Sequence, residues 1–178
     1  MKRFLATLIA GVVLGFVLIA GGAYIFFAGG FAPVATSSAP LPFEKMLAKK
    51  ALEARIEKEM PKSAPLEPTE ANLMEGATIY QQNCAVCHGL PGGEKTAIAQ
   101  GMFPRPPQLF MGKGVTDDEV GETYWKVANG IRLTGMPGFR GALTEAQLWQ
   151  VSLMLAKADD LPTSVRKVLT PKVVPEGF

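Results

Sequence analysis

Three kinds of hydrophobic spacing divide the chain. From Phe4 to Ala28 there are 25 residues without a charge, preceded by Lys2 and Arg3. As an α-helix such a run reaches about 37 Å, enough to cross a hydrocarbon core of roughly 30 Å with some tilt. Glu44 to Met60 differs: strong helix formers of mixed charge carry Ala48, Leu52, Ile56 and Met60 at i, i+4 intervals. That is one narrow apolar stripe, and Pro61 stops it. Beyond Thr69 the apolar positions fall three and four apart in three segments. Glu70 to Gln82 puts Leu73, Ala77 and Tyr80 on one face, with Gly76 where another element can approach closely. Thr116-Asp117-Asp118-Glu119 reads as a capping box, opening a helix that buries Val120, Tyr124 and Val127 and closes at Gly130. Thr144-Glu145-Ala146-Gln147 repeats the box and opens a last helix, with Leu148, Val151 and Leu155 inward, to about Ala158. No segment sustains a period of two, so no strands are expected.

The pattern predicts an all-α chain in four parts: an N-terminal transmembrane anchor over 1–30, a linker and charged stalk helix over 31–68, a small helical domain over 69–163, and a C-terminal tail over 164–178. Phe31 to Pro42 is rich in Ala, Ser and Pro, and Pro61 to Pro68 holds three prolines; both read as linkers. The stalk helix reads as a solvated spacer, with docking on a partner subunit as the competing reading. A cleaved signal peptide has an apolar region of only about 7–15 residues. Cleavage near Gly21-Gly22-Ala23 would leave Tyr24-Ile25-Phe26-Phe27 as an apolar terminus, so the uncleaved anchor is the preferred reading. Lys2 and Arg3 then place the N-terminus in the cytoplasm and the remainder outside it. The expected location is a bacterial cytoplasmic membrane, single-pass, with the domain on the periplasmic side.

Charge and composition narrow the function. Residues 1–60 hold seven Lys/Arg against four Asp/Glu, a net +3, while the whole 178-residue chain carries only +2. The basic character belongs to the N-terminal appendage, and nothing argues for a nucleic-acid partner. Two Cys exclude a multi-disulfide framework, and one His excludes any site needing two imidazoles. With 19 Gly and 14 Pro the domain is loop-rich. A unit of about 95 residues so built lacks enough core of its own, and is expected to fold around something large and apolar.

Cys84-Ala85-Val86-Cys87-His88 supplies the candidate. The C-x-x-C-H spacing signals covalent attachment of one c-type haem. Two thiols three residues apart reach the two vinyl groups of a porphyrin, and the next residue lies under the iron. A redox C-x-x-C sits at a strand–helix junction, and no strand precedes Cys84. A structural zinc site wants four Cys/His ligands where this chain has three. A simple disulfide leaves His88 unexplained. Of eight methionines, Met1, Met46 and Met60 lie in the appendage, and Met74 and Met154 fall inside helices as core residues. Met102, Met111 and Met136 remain in loops as candidates for the sixth ligand. Met136 is preferred, because Thr134-Gly135-Met136-Pro137-Gly138 is a turn that can approach a flat cofactor; Met102 is the alternative.

From about Thr69 to Pro162 the chain resembles a class I mono-haem cytochrome c. The resemblance rests on Cys84-Ala85-Val86-Cys87-His88, on Pro106-Pro107-Gln108-Leu109, and on the run from Asn129 to Phe139 that contains Met136. Gly76, Tyr80 and Trp149-Gln150-Val151 lend support. It implies a cytochrome c-like domain of three to five helices around the haem, with His88 and Met136 as metal ligands. It further implies that the Pro107 carbonyl accepts a hydrogen bond from His88, that Leu109 packs on the proximal side, and that Gly76 lets the first helix cross the last near Val151 and Met154. Tyr124, Trp125, Asn129 and Arg132 become candidates for contact with the haem or its propionates; ordinary core packing, or for Arg132 a solvated charge, is the competing reading. The expected function is one-electron transfer between membrane oxidoreductase partners, as donor and acceptor, in a respiratory or dehydrogenase-linked chain, without enzymatic activity of its own. The alternatives are a haem subunit of a larger oxidoreductase and, from another class, a haem-based ligand sensor.

Overall fold

In the computed structural model, residues 1–111 and 115–170 are described. They contain helices α1 (Lys2–Ala28), α2 (Glu44–Glu59), α3 (Glu70–Asn83), α4 (Ala85–His88), α5 (Ala97–Gly101), α6 (Val120–Asn129), α7 (Glu145–Ala156) and α8 (Thr163–Val168), with a 3₁₀ turn at Ala158–Asp160. No strand occurs among the described residues. The chain divides into two compact units, the first Met1–Glu44 and the second beginning at Lys45.

The first unit is α1 with the turns that follow it. Among the described residues α1 is the one helix long and apolar enough to cross a membrane, and none of its residues is buried. Its large apolar side chains from Phe4 to Phe27, Phe26 excepted, are exposed. Such a helix is hydrophobic on every face and has no core to fill.

The second unit is built on the crossing of α3 and α7. The Thr69 hydroxyl accepts from the Asn72 N–H and starts α3. At Gly76 a Cβ would strike the Gln150 carbonyl of α7 and lie 2.8 Å from the Met154 Cβ. Only glycine permits so close an approach. Around this crossing Leu73, Ala77 and Tyr80 meet Leu148, Val151 and Met154, with Tyr124, Val127 and Ala128 of α6 alongside. α7 opens with the expected reciprocal box: Gln147 N–H donates to the Thr144 hydroxyl, and the Gln147 side chain accepts from the Thr144 N–H.

Three features differ from the sequence reading. α6 begins at Val120 with Glu119 as its N-cap, and the Thr116 box does not form. Instead the Thr116 hydroxyl donates to Asp159 at 2.6 Å, so this Thr joins two loops rather than capping a helix. Second, the core runs past Pro162: Val165 and Leu169 are fully buried, and α8 packs on α3. The tail segment begins as a helix because these two apolar residues have a face of α3 to cover. Third, α2 is no solvated spacer. Ile56 is 4% exposed, Leu52 and Met60 are half-buried, and Trp125 of α6 donates its indole N–H to Glu59. Ala64 and Leu66, in the second proline-rich stretch, also pack on the core. Leu52, Ile56 and Met60 of the narrow stripe thus pack on the chain's own domain, while Ala48 at its start is exposed.

Candidate functional site

The end of α3 and the four-residue helix α4 place the Cys84-to-His88 motif. Cys84 caps α3 through its N–H to the Tyr80 carbonyl, and its own carbonyl accepts from the N–H groups of both Cys87 and His88. One tight turn thereby fixes both thiols and the ring. Gly89 closes it with φ at +75°, and a Cβ there would collide with the Gln108 amide. Tyr80, buried below, donates its hydroxyl to the Gly89 carbonyl at 2.7 Å.

A loop between α5 and α6 clamps this turn from the side. The His88 Nδ1 lies 2.8 Å from the Pro107 carbonyl. A carbonyl can only accept, so Nδ1 carries the proton and Nε2 keeps its lone pair. Gln108 donates to the Cys87 carbonyl, and the Phe110 ring meets Tyr80 edge-on at 5.2 Å. Burial favours the neutral imidazole and lowers the His88 pKa, against the opposing effect of the Pro107 hydrogen bond, which raises it. Burial, with Cys87 nearby, pushes the Cys84 thiol up to about 12. Both cysteines are free.

The Met136 segment approaches from the end of α6. Gly130, with φ at +69°, turns the chain so that Met136 returns its carbonyl to the Ile131 N–H, while the Met136 N–H donates to the Thr134 hydroxyl. Phe139 and Arg140 then donate to the carbonyls of Val127 and Ala128, riveting the turn onto α6. At Gly135 the space a Cβ would need is filled by the Met102 methyl.

These pieces enclose a cavity of about 530 Å³. Cys84, Cys87, His88, Pro107, Leu109 and Met136 all line it, and so does Met102. Tyr124, Trp125, Asn129 and Arg132 do not. Tyr124 stacks on Trp149 at 4.1 Å and donates to Glu145; Trp125 donates to Glu59; Asn129 donates to the Trp125 carbonyl; Arg132 is exposed. The reason is helical phase: Thr123, Lys126 and Val127 are the α6 residues on the cavity side, and Tyr124 is turned toward α7. Sequence reasoning missed Leu52 of α2, Arg105, Lys126 and Phe139, which also line the cavity. Arg105 lies between Pro104 and Pro106, just ahead of the Pro106–Leu109 segment already singled out, so its neighbours were the available signal.

The donor set and the cavity fit a haem. Two thiols, one imidazole with a single bare nitrogen and three thioethers, those of Met102, Met111 and Met136, line an apolar chamber within the usual 300–1,000 Å³ of cofactor sites. No group of three or more His, Cys, Asp or Glu side chains gathers for a zinc-like ion among the described residues.

Residues 71–153 match the family described as cytochrome c oxidase, cbb3-type, subunit III. With the all-helical fold, that match supports a c-type cytochrome domain over this segment, slightly under half of the chain. No curated protein matches the chain. Among solved structures it is similar to a chain of a reducing HAO-like protein complex from Kuenenia stuttgartiensis, at 24% identity and a TM-score of 0.48. The alignment covers 56% of this chain and 49% of that one, about half the length of each.

Proposed function

We propose that this chain is a membrane-tethered one-electron carrier holding a single haem c, attached through Cys84 and Cys87 and ligated by the His88 Nε2 and the Met136 sulfur. One observation carries the reading. The Pro107 carbonyl accepts a hydrogen bond from the His88 Nδ1–H, so the nitrogen left free belongs to a ring that shares an apolar cavity with Met136. When bound, the haem supplies an iron that cycles between Fe(II) and Fe(III). The protein's part is to hold and tune it. The hydrogen bond to Pro107 raises the basicity of the imidazole, the soft sulfur favours Fe(II), and Leu109, Val127 and Leu155 in the cavity wall disfavour the more charged oxidised state. Arg105 is the guanidinium suited to a propionate carboxylate. With His88 and Met136 both holding the iron, no position would be left for substrate, which fits a carrier rather than an enzyme. α1 anchors it, with the haem domain on the extracytoplasmic side.

The test is a reduced-minus-oxidised spectrum of the full chain, before and after denaturation. A c-type haem that stays with the denatured chain, and is lost when Cys84 and Cys87 are both replaced by Ala, supports the reading. Covalent haem in the double variant would refute it. A second reading, a fixed subunit of a larger oxidoreductase, is favoured by the oxidase-subunit description of the matched family. Extraction in mild detergent separates the two: a carrier leaves the membrane alone, a subunit leaves with its complex.

A further inference from the structure

The cavity has a wall from an unexpected source. Leu52 lines it, yet Leu52 belongs to α2, well ahead of the segment that matches the cytochrome family. α2 meets the domain at its start, middle and end. At its start the Lys45 ammonium stands 5.9 Å from the Phe103 ring centroid, within cation–π range, and Phe103 sits in the loop that gives Met102, Pro104 and Arg105 to the cavity. In its middle Leu52 reaches the cavity and Ile56 is 4% exposed. At its end Glu59 uses both carboxylate oxygens, one for Arg55 at 2.6 Å and one for the Trp125 indole N–H at 3.1 Å. Trp125 stands beside Thr123, Lys126 and Val127, the α6 residues of the same cavity. Just beyond, the Pro61 carbonyl occupies the place a Cβ on Gly121 would need. The opposite face of α2, with Leu47 and the Lys49–Glu53 pair, is in water.

We propose that α2 is a strap built into the cofactor site: Leu52 contacts the haem and, with Ile56, keeps water from that side of the cavity, while the Glu59–Trp125 hydrogen bond latches the strap to α6. The inference rests on the reading of the cavity as a haem site. It makes Leu52 a cofactor-contacting residue and Trp125 and Glu59 positioning residues. An apolar wall penalises the more charged oxidised iron, so the strap holds the reduction potential up. The strapped side is also closed to redox partners, which must reach the haem elsewhere on its edge.

The experiment uses the full-length holoprotein in detergent, after covalent haem has been established on the denatured wild type. Leu52→Asn is expected to lower the midpoint potential while the spectrum keeps both axial ligands, and Leu47→Asn, on the wet face, to leave the midpoint where it is. Glu59→Gln and Trp125→Phe, which break the latch, are expected to speed hydrogen exchange of the α2 amides and to shift the midpoint the same way by less. In the wild type those amides should exchange far more slowly than in an isolated helix of this length. A haem-loaded Leu52→Asn protein with an unchanged midpoint overturns the strap and leaves the haem reading intact. If that variant loads no haem, the wild-type exchange decides: α2 amides as open as a free helix overturn it. Wild type without covalent haem overturns the functional reading and the strap together.

Discussion

Met136 and Met102 stand on the same cavity, and the contrast between them tests the ligand assignment. Met136→Ala is expected to abolish the near-infrared sulfur-to-iron band of the oxidised protein, to admit carbon monoxide to the reduced iron, and to lower the potential. Met102→Ala should keep the band, because the Met102 methyl fills the space over Gly135 and so supports the turn that presents Met136. A band that survives loss of Met136 and vanishes with Met102 would reverse the assignment. Tyr80→Phe should cost about 1–3 kcal/mol in denaturant unfolding of the holoprotein, since the buried Gly89 carbonyl loses its partner. The motif residues Cys84, Cys87 and His88 could be read from spacing, because their chemistry is local to one turn. Tyr124, Trp125, Asn129 and Arg132 could not be placed that way. Their helix has two buried sides, one on the cavity and one on α7, and the sequence pattern marks both as apolar without saying which is which.

At the level of the elements, the α3–α7 crossing is where a single methyl group matters most. Gly76→Ala would drive a Cβ into the backbone carbonyl of Gln150, which no side-chain rotation relieves. Overpacking of this kind costs about 1–3 kcal/mol, to be read as a lowered denaturation midpoint with the same axial-ligand spectrum. Thr144→Ala removes the hydroxyl that caps α7 and should cost about 1 kcal/mol by the same measurement. The equivalent change at Thr116 should not act through α6, whose N-cap is Glu119. Both Thr-x-x-Glu/Gln patterns look alike in sequence. They part because Thr144 meets its box partner, whereas Thr116 finds Asp159, far along the chain, and only tertiary structure brings that partner near. For the same reason the apolar face of α3 was legible and its cover by α8 was not: periodicity shows that a face needs burying, and not what buries it.

For the molecule as a whole, the two proline-rich stretches are unequal. Ala64 and Leu66 pack on the core in the second, while the first lies between α1 and α2. Limited proteolysis of the detergent-solubilised chain is therefore expected to cut between residues 29 and 43 and to spare 61–68. A first cut in the second stretch would contradict the packing of α2. Alkaline pH should undo the domain. Burial raises the phenol pKa values of Tyr80 and Tyr124 above the ordinary value of about 10. Both stay protonated in the folded state, so their contribution to stability is intact below about pH 10 and is lost as pH climbs through the raised values. The tyrosinate absorbance of Tyr80 and Tyr124, read in a Tyr24→Phe variant, should consequently rise together with unfolding and not before it.

With α2 fastened to the domain, the length of chain free to pay out between anchor and haem is short. The fifteen residues from Gly29 to Phe43 extend to at most about 50 Å, against about 130 Å for the 31–68 stretch taken as one loose linker. Under the proposed anchoring by α1, a haem carried on such a leash does not roam the compartment beyond the membrane. It sweeps a thin shell over the bilayer, where a partner embedded in the same plane is met at the high effective concentration that a short tether confers. A freely diffusing acceptor gains nothing from it. Lengthening the leash by inserted Gly-Ser repeats should then slow electron delivery to a membrane-bound partner and leave delivery to a soluble one unchanged.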